Sequence, residues 1–331
     1  MKKEKLGQSP LQASKIILGT WVTGGEEFGP ADESESIEAI RTSLASGIQT
    51  IDTAPIYGRG LAESIVGKAI RGRREDVVIA TKVGLRWDLE EGEFNFQAAD
   101  GARIHKNLRP ASIREEVEQS LRRLGVESID LLQTHWPDAT TPIAETMGCL
   151  LELKKEGKIR AIGACNVDPA QLDEYLSVGP LDSLQILYSM IDRDAEAALL
   201  PKALDHGLAV LAYSPLAMGL LSGKLGPERT FPPGDVRSWS PRFTTENRRK
   251  TAVLLEQLTP IANEHQLTIA QLVIAWTLAQ PCLTHVLCGA RNATQAAENA
   301  AAGQARLDDA PLVAIDDILA ASAPVLPHPF Q

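Results

Sequence analysis

Three ionisable side chains of different kinds each stand at the end of an apolar run. Asp52 closes "TID", Lys82 closes "VVIATK" and His135 closes "DLLQTH". Burying such groups is costly unless they are paired or used. If Asp52 and Lys82 lie about 4 Å apart, their attraction is on the order of 4 kcal/mol at an effective dielectric of about 20, which offsets part of that cost. We therefore expect an ion pair that keeps Lys82 charged.

A tyrosine stands near enough in the sequence to join this pair. Tyr57 follows Asp52 by five residues in "TIDTAPIYG" and can reach the same ammonium. Because a nearby cation favours phenolate over phenol, we expect the pKa of Tyr57 to fall below its ordinary value of about 10. Such a tyrosine can give a proton to a substrate oxygen and take it back near neutral pH. His135 would orient that oxygen by a hydrogen bond.

Each of these residues also has an ordinary structural explanation. A strand-end aspartate often caps a turn, a strand-end lysine often extends its charge to solvent, and a lone histidine is usually a satisfied core residue. Four such coincidences at one face are improbable. A rival enzyme class is a Schiff-base lyase with Lys82 as nucleophile, but an adjacent Asp52 would keep that amine charged.

The elements that must position these residues follow one rhythm of strand, turn, amphipathic helix and glycine stop. The candidate strands are near-continuous apolar runs, as parallel strands covered on both faces should be. They span residues 15–21, 48–52, 76–82, 128–135, 159–165, 183–188, 208–214 and 285–290. Strand then helix, eight times, predicts an α/β fold, a (β/α)8 TIM barrel, in a single domain over residues 1–331. A short N-terminal hairpin is expected around "GQSP".

Helix boundaries are marked for two of the predicted helices. One is expected to begin with a capping box of Ser112 and Glu115 and to stop before Gly125. An earlier helix is expected to begin near Asp32 and to end at Gly47 in the same manner.

Two long connections interrupt the rhythm. They comprise 27 residues from Val83 to Arg109 and 35 residues from Pro215 to Arg249. Connections of this length without secondary structure are usually lids or binding loops. Both follow the carboxyl ends of strands, where barrels build their active sites, so we expect both to wall the site.

Composition limits the classes of partner. The net charge is -10 and no basic stretch is present, which argues against nucleic acid or an anionic membrane as the main partner. The N-terminus lacks a secretory pattern and no window approaches a transmembrane span, so a cytoplasmic protein with a small-molecule ligand is expected. The four cysteines lack the spacing of a zinc site or a disulfide framework, and reduced thiols with no metal are expected.

Six segments together resemble the aldo-keto reductase family in order and spacing: "DTAPIYG", "ATK", "IDLLQTHWPD", "GKIRAIGACN", "AYSPL" and "GARNATQAAEN". The resemblance runs from about Lys15 to Ala302 and is nearest to the bacterial general-stress and inositol-utilisation branch. It implies NAD(P)H-dependent interconversion of carbonyls and alcohols without a Rossmann domain. By matching motif, the catalytic residues are Asp52, Tyr57, Lys82 and His135, with Tyr57 protonating the carbonyl oxygen while hydride arrives from the nicotinamide.

The family pattern also implies where the adenosine end of the cofactor lies. Arg291 precedes a predicted helix, where an anion would meet both a guanidinium and the positive helix end, which suits a 2'-phosphate. The resemblance places Arg291 and Gln295 at that phosphate, and Glu298 and Asn299 near the adenine. It favours NADP(H), with NAD(H) as the alternative. An ordinary capped surface helix is the competing interpretation.

The remaining cofactor contacts are assigned by the same resemblance. Gly219, Leu220, Ser222 and Lys224 belong to a loop expected to fold over the pyrophosphate, although a flexible lid would have the same composition. Asn166 and Gln185 would bond the nicotinamide carboxamide, and Tyr213 would stack on its ring. The other expected contacts are Thr20, Trp21, Asp52, Ser214, Pro215, Leu216 and Gly289.

The expected substrate contacts are aromatic or catalytic, and they suit an aromatic aldehyde or the apolar face of a sugar. They are Trp21, Tyr57, Trp87, His135 and Trp136.

Cys165 and Cys288 depart from the family pattern, which commonly has serine and proline there. The same residues also fit a non-enzymatic alternative: an NADPH-binding sensor or interaction subunit with little turnover. The sequence does not choose between a monomer and a homo-oligomer.

Overall fold

The structure, a computed structural model, describes residues 1–330. The expected domain of residues 1–331 therefore ends one residue outside the described part. In chain order the strands are β1 (Lys3–Lys5), β2 (Gln12–Ser14), β3 (Ile16–Gly19), β4 (Thr50–Asp52), β5 (Val78–Val83), β6 (Leu85–Arg86), β7 (Glu93–Gln97), β8 (Arg103–Lys106), β9 (Ile129–Thr134), β10 (Ile159–Cys165), β11 (Ser183–Leu187), β12 (Ala209–Tyr213) and β13 (His285–Gly289).

One helix follows each barrel strand, except that two follow β12 and two follow β13. They are α1 (Glu33–Ala45), α2 (Leu61–Ala69), α3 (Pro110–Leu124), α4 (Ile143–Lys155), α5 (Pro169–Val178), α6 (Leu199–Asp205), α7 (Thr245–Glu264), α8 (Ile269–Ala279), α9 (Ala293–Ala302) and α10 (Asp309–Ser322). Among residues 1–330, none of them is long and apolar enough to cross a membrane.

Eight strands form a closed barrel in the order β3-β4-β5-β9-β10-β11-β12-β13, and every neighbouring pair is parallel. All eight predicted strands are present, and the predicted TIM barrel is confirmed. The N-terminal hairpin is confirmed as well, since β1 and β2 pair antiparallel. Its Leu6 and Leu11 are buried in the cluster that contains Ile17 and Leu131, so the hairpin closes the amino end of the barrel.

The barrel interior changes from apolar to polar along each strand. Alternate residues of a strand face the same side. Ala80 and Leu131 belong to a small apolar cluster inside the barrel, which is separate from the large cluster between the strands and the helices. Two residues further on, Lys82 and Gln133 occupy the same inward face and are paired in register. The apolar residues fill the lower layer, so the ionisable ones are concentrated at the carboxyl end.

Helix boundaries agree with the sequence in part. The Asp32 side chain caps α1 by accepting a hydrogen bond from the backbone of Glu35 at 2.9 Å, and α3 stops at Gly125, whose φ is 68°. The predicted capping box at the start of α3 is wrong. The helix begins earlier, at Pro110, because proline suits the first helical position. The hydroxyl of Ser112 instead accepts a hydrogen bond from the buried Arg86 at 2.9 Å.

The two long connections are more ordered than the sequence predicted. The first contains the antiparallel sheet β6-β8-β7, where "EFNFQ" alternates side chains as a strand does. The second contains short 3-10 turns at Ala217–Ser222, Val236–Ser238 and Pro241–Phe243 before α7. Val236 donates a backbone hydrogen bond to the Glu27 carbonyl at 2.7 Å, which ties this connection to the one after β3.

Candidate active site

The carboxyl end of the barrel brings together four residues that are far apart in the sequence. Asp52 ends β4, Lys82 is the last residue but one of β5, His135 follows β9, and Tyr57 lies between β4 and α2. Lys82 Nζ lies 2.5 Å from Asp52 Oδ1 and 3.3 Å from the hydroxyl of Tyr57. The rings of Tyr57 and His135 meet edge to face, with centroids 5.8 Å apart. One point of the barrel mouth is therefore lined by a carboxylate, an amine, a phenol and an imidazole.

Lys82 is a charged group with every proton engaged. Besides Asp52 and Tyr57, its ammonium donates to the carbonyl of Thr53 at 3.0 Å, which uses all three of its hydrogens. Burial alone would lower the pKa of Lys82, but the attraction of Asp52 raises it above its ordinary value. Lys82 is thus an ammonium at neutral pH, which argues against the Schiff-base alternative because that mechanism needs a free amine.

The expected fall in the pKa of Tyr57 is wrong. Burial around the hydroxyl raises the pKa of Tyr57 to about 12, and the Lys82 cation lowers it by less than burial raises it. The phenolate loses solvation that a single neighbouring ammonium, itself paired with Asp52, does not replace. Tyr57 is therefore a neutral phenol at neutral pH, which is the protonation state of a proton donor.

His135 is neutral as well. Burial and the charge of Lys82 both lower the pKa of His135 well below its ordinary value. A neutral imidazole has one N–H donor and one acceptor nitrogen. It can bond an oxygen placed beside Tyr57 without bringing a second positive charge there.

Two amides hold the other oxygen of Asp52. Its Oδ2 accepts from Gln133 Nε2 at 3.2 Å and from Gln185 Nε2 at 2.9 Å. Sequence reasoning gave Gln133 no role and expected Gln185 only at the cofactor. The available signal was the spacing, because Gln133 stands two residues before His135 and therefore shares its inward face.

Asn166 orients Tyr213, the last residue of β12. Tyr213 donates its hydroxyl to Asn166 Oδ1 at 2.7 Å, and Asn166 Nδ2 donates to the carbonyl of His135 at 3.0 Å. Burial raises the pKa of Tyr213 well above its ordinary value, so the phenol keeps the proton that it donates. Asn166 has a φ of 57°, a left-handed conformation that asparagine tolerates better than most residues. Tyr213, the expected stacking residue, is thus oriented by Asn166, which follows β10, the strand next to the one that His135 follows.

The three tryptophans that were expected at the substrate lie near Tyr57. The ring of Trp21 lies 6.4 Å from that of Tyr57, and its indole nitrogen donates to Glu27 Oε2 at 3.0 Å. Trp87 and Trp136 pack with Tyr57 on a small apolar cluster that contains Ile56. Trp21, Trp87 and Trp136 lie in the connections that follow β3, β5 and β9 respectively.

A further aromatic residue was not predicted. The ring of Phe330 lies 6.0 Å from Trp21, 6.2 Å from Trp136 and 6.1 Å from Tyr213. The tail that carries it is held by Arg242, whose Nη1 donates to the Pro327 carbonyl at 2.8 Å. No local signal in "PHPF" could have placed this residue, since its position depends on a contact with a distant segment.

The backbone after β12 is strained where the cofactor loop was expected. Ser214, Ala217, Met218 and Gly219 have φ values of 56°, 48°, 56° and 102°. Non-glycine residues are uncommon in this region and cost free energy to hold there. Ser222 Oγ donates to the carbonyl of Gly219 at 2.6 Å, which closes the turn.

Other expected cofactor residues have structural partners in the described chain. Thr20 Oγ1 donates to the Asp52 carbonyl at 3.0 Å, and Asn299 Nδ2 donates to the Gly289 carbonyl at 3.0 Å. Lys224 forms an ion pair with Glu298 at 2.9 Å, which links the loop to α9. Leu220 is buried and Leu216 partly buried. Pro215 lies between Ser214 and Leu216 in the same strained stretch.

The N-terminus of α9 presents a cation. Arg291 Nη2 donates to the Phe28 carbonyl, and its backbone N–H donates to Gln295 Oε1 at 2.9 Å. Burial, and then the charge of Arg237, lower the pKa of Arg291. Within residues 1–330 Arg291 has no carboxylate within ion-pair distance, whereas Arg237 pairs with Asp235 at 2.6 Å. The position fits an anionic group such as a cofactor phosphate.

Both unusual cysteines are buried thiols. Burial raises the pKa of Cys165 above its ordinary value and that of Cys288 to about 12. Neither carries a thiolate at neutral pH. The departures from the family pattern therefore leave uncharged groups at these positions.

Comparison with known proteins agrees with the geometry. The model of the Aldo/keto reductase family matches residues 15–320. The NADH-specific methylglyoxal reductase of Escherichia coli (strain K12) is 45% identical over 319 residues, which cover 94% of this chain and 96% of that protein. The aldo-keto reductase YhdN of Bacillus subtilis (strain 168) is 39% identical over 298 residues, covering 89% and 86%.

A solved structure extends the likeness to the whole fold. The glycerol dehydrogenase AKR11B4 from Gluconobacter oxydans superposes with a TM-score of 0.87 at 37% identity, covering 97% of this chain and 98% of that one. The resemblance predicted from the six segments is confirmed. The chain belongs to the aldo/keto reductase family of oxidoreductases.

Proposed function

We propose that this chain is an NADP(H)-dependent carbonyl reductase that converts small aldehydes and ketones to alcohols within a single domain. The observation that supports this most strongly is the hydroxyl of Tyr57, which lies 3.3 Å from the ammonium of Lys82. A neutral phenol beside a fixed cation can release its proton to a carbonyl oxygen because the cation stabilises the phenolate that remains.

Each of the four residues has a distinct task in this proposal. When bound, the reduced nicotinamide supplies the hydride. Tyr57 donates the proton, and Lys82 stabilises the phenolate that forms. Asp52 keeps the Lys82 ammonium in place, and His135 donates a hydrogen bond to the substrate oxygen. Because His135 and Tyr57 are both neutral before reaction, each can present an N–H or O–H donor to the charge that develops on the substrate oxygen.

The preference for NADP(H) rests on Arg291. The guanidinium of this exposed residue lacks a carboxylate partner among residues 1–330 and precedes α9, so a 2'-phosphate would supply the missing negative charge. Glu298, Asn299 and Gln295 would lie near the adenosine. NAD(H) is the alternative, since the Escherichia coli relative is named NADH-specific.

The substrate is proposed to be a short carbonyl compound. Trp21, Trp136 and Phe330 enclose the space beside Tyr57: the Trp21 ring lies 6.4 Å from that of Tyr57, and the Phe330 ring lies 6.0 Å from Trp21 and 6.2 Å from Trp136. Two similar proteins are named for methylglyoxal and glycerol, which are both three-carbon compounds by their chemistry. Sugar-derived carbonyls form the second class to test.

One experiment tests the proposal and its alternative together. Methylglyoxal, glyceraldehyde, benzaldehyde and an aldose are incubated with NADPH and with NADH, and the nicotinamide absorbance is followed. Oxidation of NADPH that depends on the carbonyl is expected. Tight binding of NADPH without turnover on the whole panel would instead favour the sensor alternative.

A further inference from the structure

The two oxygens of Asp52 are held by different groups. Oδ1 accepts from Lys82 at 2.5 Å, whereas Oδ2 accepts from the amides of Gln133 at 3.2 Å and Gln185 at 2.9 Å. All four side chains are buried, and Gln133 has no exposed surface. A buried carboxylate is stable in one orientation only when its lone pairs are bonded. The amides therefore determine how Asp52 presents Oδ1 to Lys82.

The two amides also bond to each other. Gln185 Nε2 donates to Gln133 Oε1 at 3.3 Å. An amide nitrogen carries two hydrogens, and those of Gln185 are used by Asp52 and Gln133. The Oε1 of Gln185 is thus the end that remains to accept a hydrogen bond from another group. Gln133 fixes this orientation, because rotating the Gln185 amide would set two oxygens against each other.

The fold makes specific room for Gln133. Its neighbour in register on β10 is Gly163. A Cβ at Gly163 would lie 2.9 Å from Gln133 Cγ and 2.3 Å from Ser183 Oγ, closer than non-bonded atoms approach. Barrel interiors are normally filled by branched apolar side chains. A buried amide accommodated by a glycine needs an explanation other than packing.

We propose that Gln133 is a positioning residue of the reaction: it holds Asp52, and through Asp52 the Lys82 ammonium, against Tyr57, and it fixes the amide orientation of Gln185. This inference rests on the proposed function of the same site. Gln133 touches Asp52 and Gln185 rather than a reacting atom, so its effect is transmitted through them.

The substitution Gln133→Glu separates this role from packing. The protonated form of the introduced carboxyl group would reproduce both bonds, since its O–H can donate to Asp52 and its C=O can accept from Gln185. The ionised form can donate nothing and places a second negative charge beside Asp52. The other titratable groups near Asp52 are Lys82, Tyr57 and Cys165, and His135 faces Lys82. Those groups are the same in the wild type, so a new pH dependence would belong to the substituted position.

The experiment measures kcat and KM for methylglyoxal with NADPH across pH in the wild type, Gln133→Glu, Gln133→Leu and Ser183→Ala. Ser183 is the matched control, since it is buried on the other side of Gly163 from Gln133 and its hydroxyl has no partner among residues 1–330. Circular dichroism at each pH monitors the folded fraction. Binding of NADPH, followed by tryptophan fluorescence, is measured in parallel.

The expected result has three parts. Gln133→Leu lowers kcat at every pH on the order of tenfold or more, because one hydrogen bond to a charged group is lost. The kcat of Gln133→Glu is near that of the wild type at low pH and falls towards that of Gln133→Leu as pH rises, while the protein remains folded. The kcat of Ser183→Ala equals that of the wild type. The KM for the carbonyl changes less than kcat in both Gln133 variants.

Parallel pH profiles for Gln133→Glu and the wild type would overturn the proposal, as would wild-type kcat in Gln133→Leu. If Gln133→Glu unfolds at higher pH, the kcat of the uncharged Gln133→Leu alone tests the proposal. If the wild type turns over no carbonyl, the proposed function fails. The binding measurement then decides: weaker NADPH binding in Gln133→Leu than in Ser183→Ala supports the positioning of Gln185, and equal binding overturns it.

Discussion

The hydroxyl of Tyr57 lies 3.3 Å from Nζ of Lys82, yet the pKa of Tyr57 is raised to about 12. Tyr57 is therefore close to a cation, yet its burial keeps the phenol protonated. In the reduction direction this is the state that the reaction needs, because the proton must be present before it is transferred. In the proposed mechanism, the cation would act mainly on the phenolate that forms during reaction.

The Lys82–Asp52 pair should be important for stability as well as for activity. Lys82→Met leaves the buried Asp52 carboxylate without its cation, and we expect the free energy of unfolding to fall by about 3–5 kcal/mol. Urea denaturation measures this. Lys68→Met is the control: its pair with Glu33 is half exposed on both sides, and about 0–1 kcal/mol is expected. Equal losses in the two variants would contradict the assignment of a buried pair.

Glu116 should make stability depend on pH. Burial raises its pKa from 4.5 to about 8, against the attraction of Arg86, while Asp88 and Glu63 add to the rise. The folded state therefore keeps this proton over a range in which the unfolded state has lost it. The stabilising contribution is complete below the unfolded value and is lost as pH rises through the folded one.

Glu116→Gln removes this titration and can keep the hydrogen bond from the Gly84 backbone. Relative to the wild type, its free energy of unfolding should therefore rise between about pH 5 and pH 8, on the order of a few kcal/mol. Glu118→Gln on the same helix is the control, since that side chain is 43% exposed and its pKa is lowered by the hydrogen bond from Lys158. A constant difference between wild type and Glu116→Gln over this range would contradict the account.

Phe330 should limit the size of the substrate. Phe330→Ala removes the ring that stands 6.0 Å from Trp21, so kcat/KM for benzaldehyde should rise relative to that for methylglyoxal. Val325→Ala is the control, because this tail residue is 97% exposed. An unchanged ratio in Phe330→Ala would show that Phe330 does not wall the substrate space.

Arg291 should set the cofactor preference. Arg291→Met removes the proposed partner of the 2'-phosphate, and the KM for NADPH should rise about tenfold or more, as expected for the loss of a hydrogen bond to a charged group. The KM for NADH should change little. Arg306→Met, an exposed arginine beyond α9, is the control. Equal effects on the two cofactors would remove the support for NADP(H).

Much of the fold could be predicted because its signals are local. The barrel strands are apolar runs bounded by turns, and the stop of α3 at Gly125 needs only a residue that tolerates the left-handed conformation. The capping box failed because Arg86, from another segment, bonds Ser112. The sheet β6-β8-β7 was not predicted, because the length of a connection carries no information about strand pairing within it.

The site was partly predictable for the same reason. The convergence of Asp52, Lys82 and His135 follows from where strands end in a barrel. The direction of the Tyr57 pKa shift does not, since the degree of burial depends on how the surrounding connections fold. Phe330 could not be found either, because Arg242 holds its tail from 85 positions earlier than Pro327.

The most direct test of the central claim uses Tyr57→Phe, which removes the hydroxyl and leaves the ring. NADPH oxidation with methylglyoxal is followed at the nicotinamide absorbance, and NADPH binding is measured by tryptophan fluorescence. We expect kcat to fall by about 10²–10⁴-fold, the usual contribution of a general acid, with NADPH binding retained. Turnover by Tyr57→Phe at the wild-type rate would contradict it.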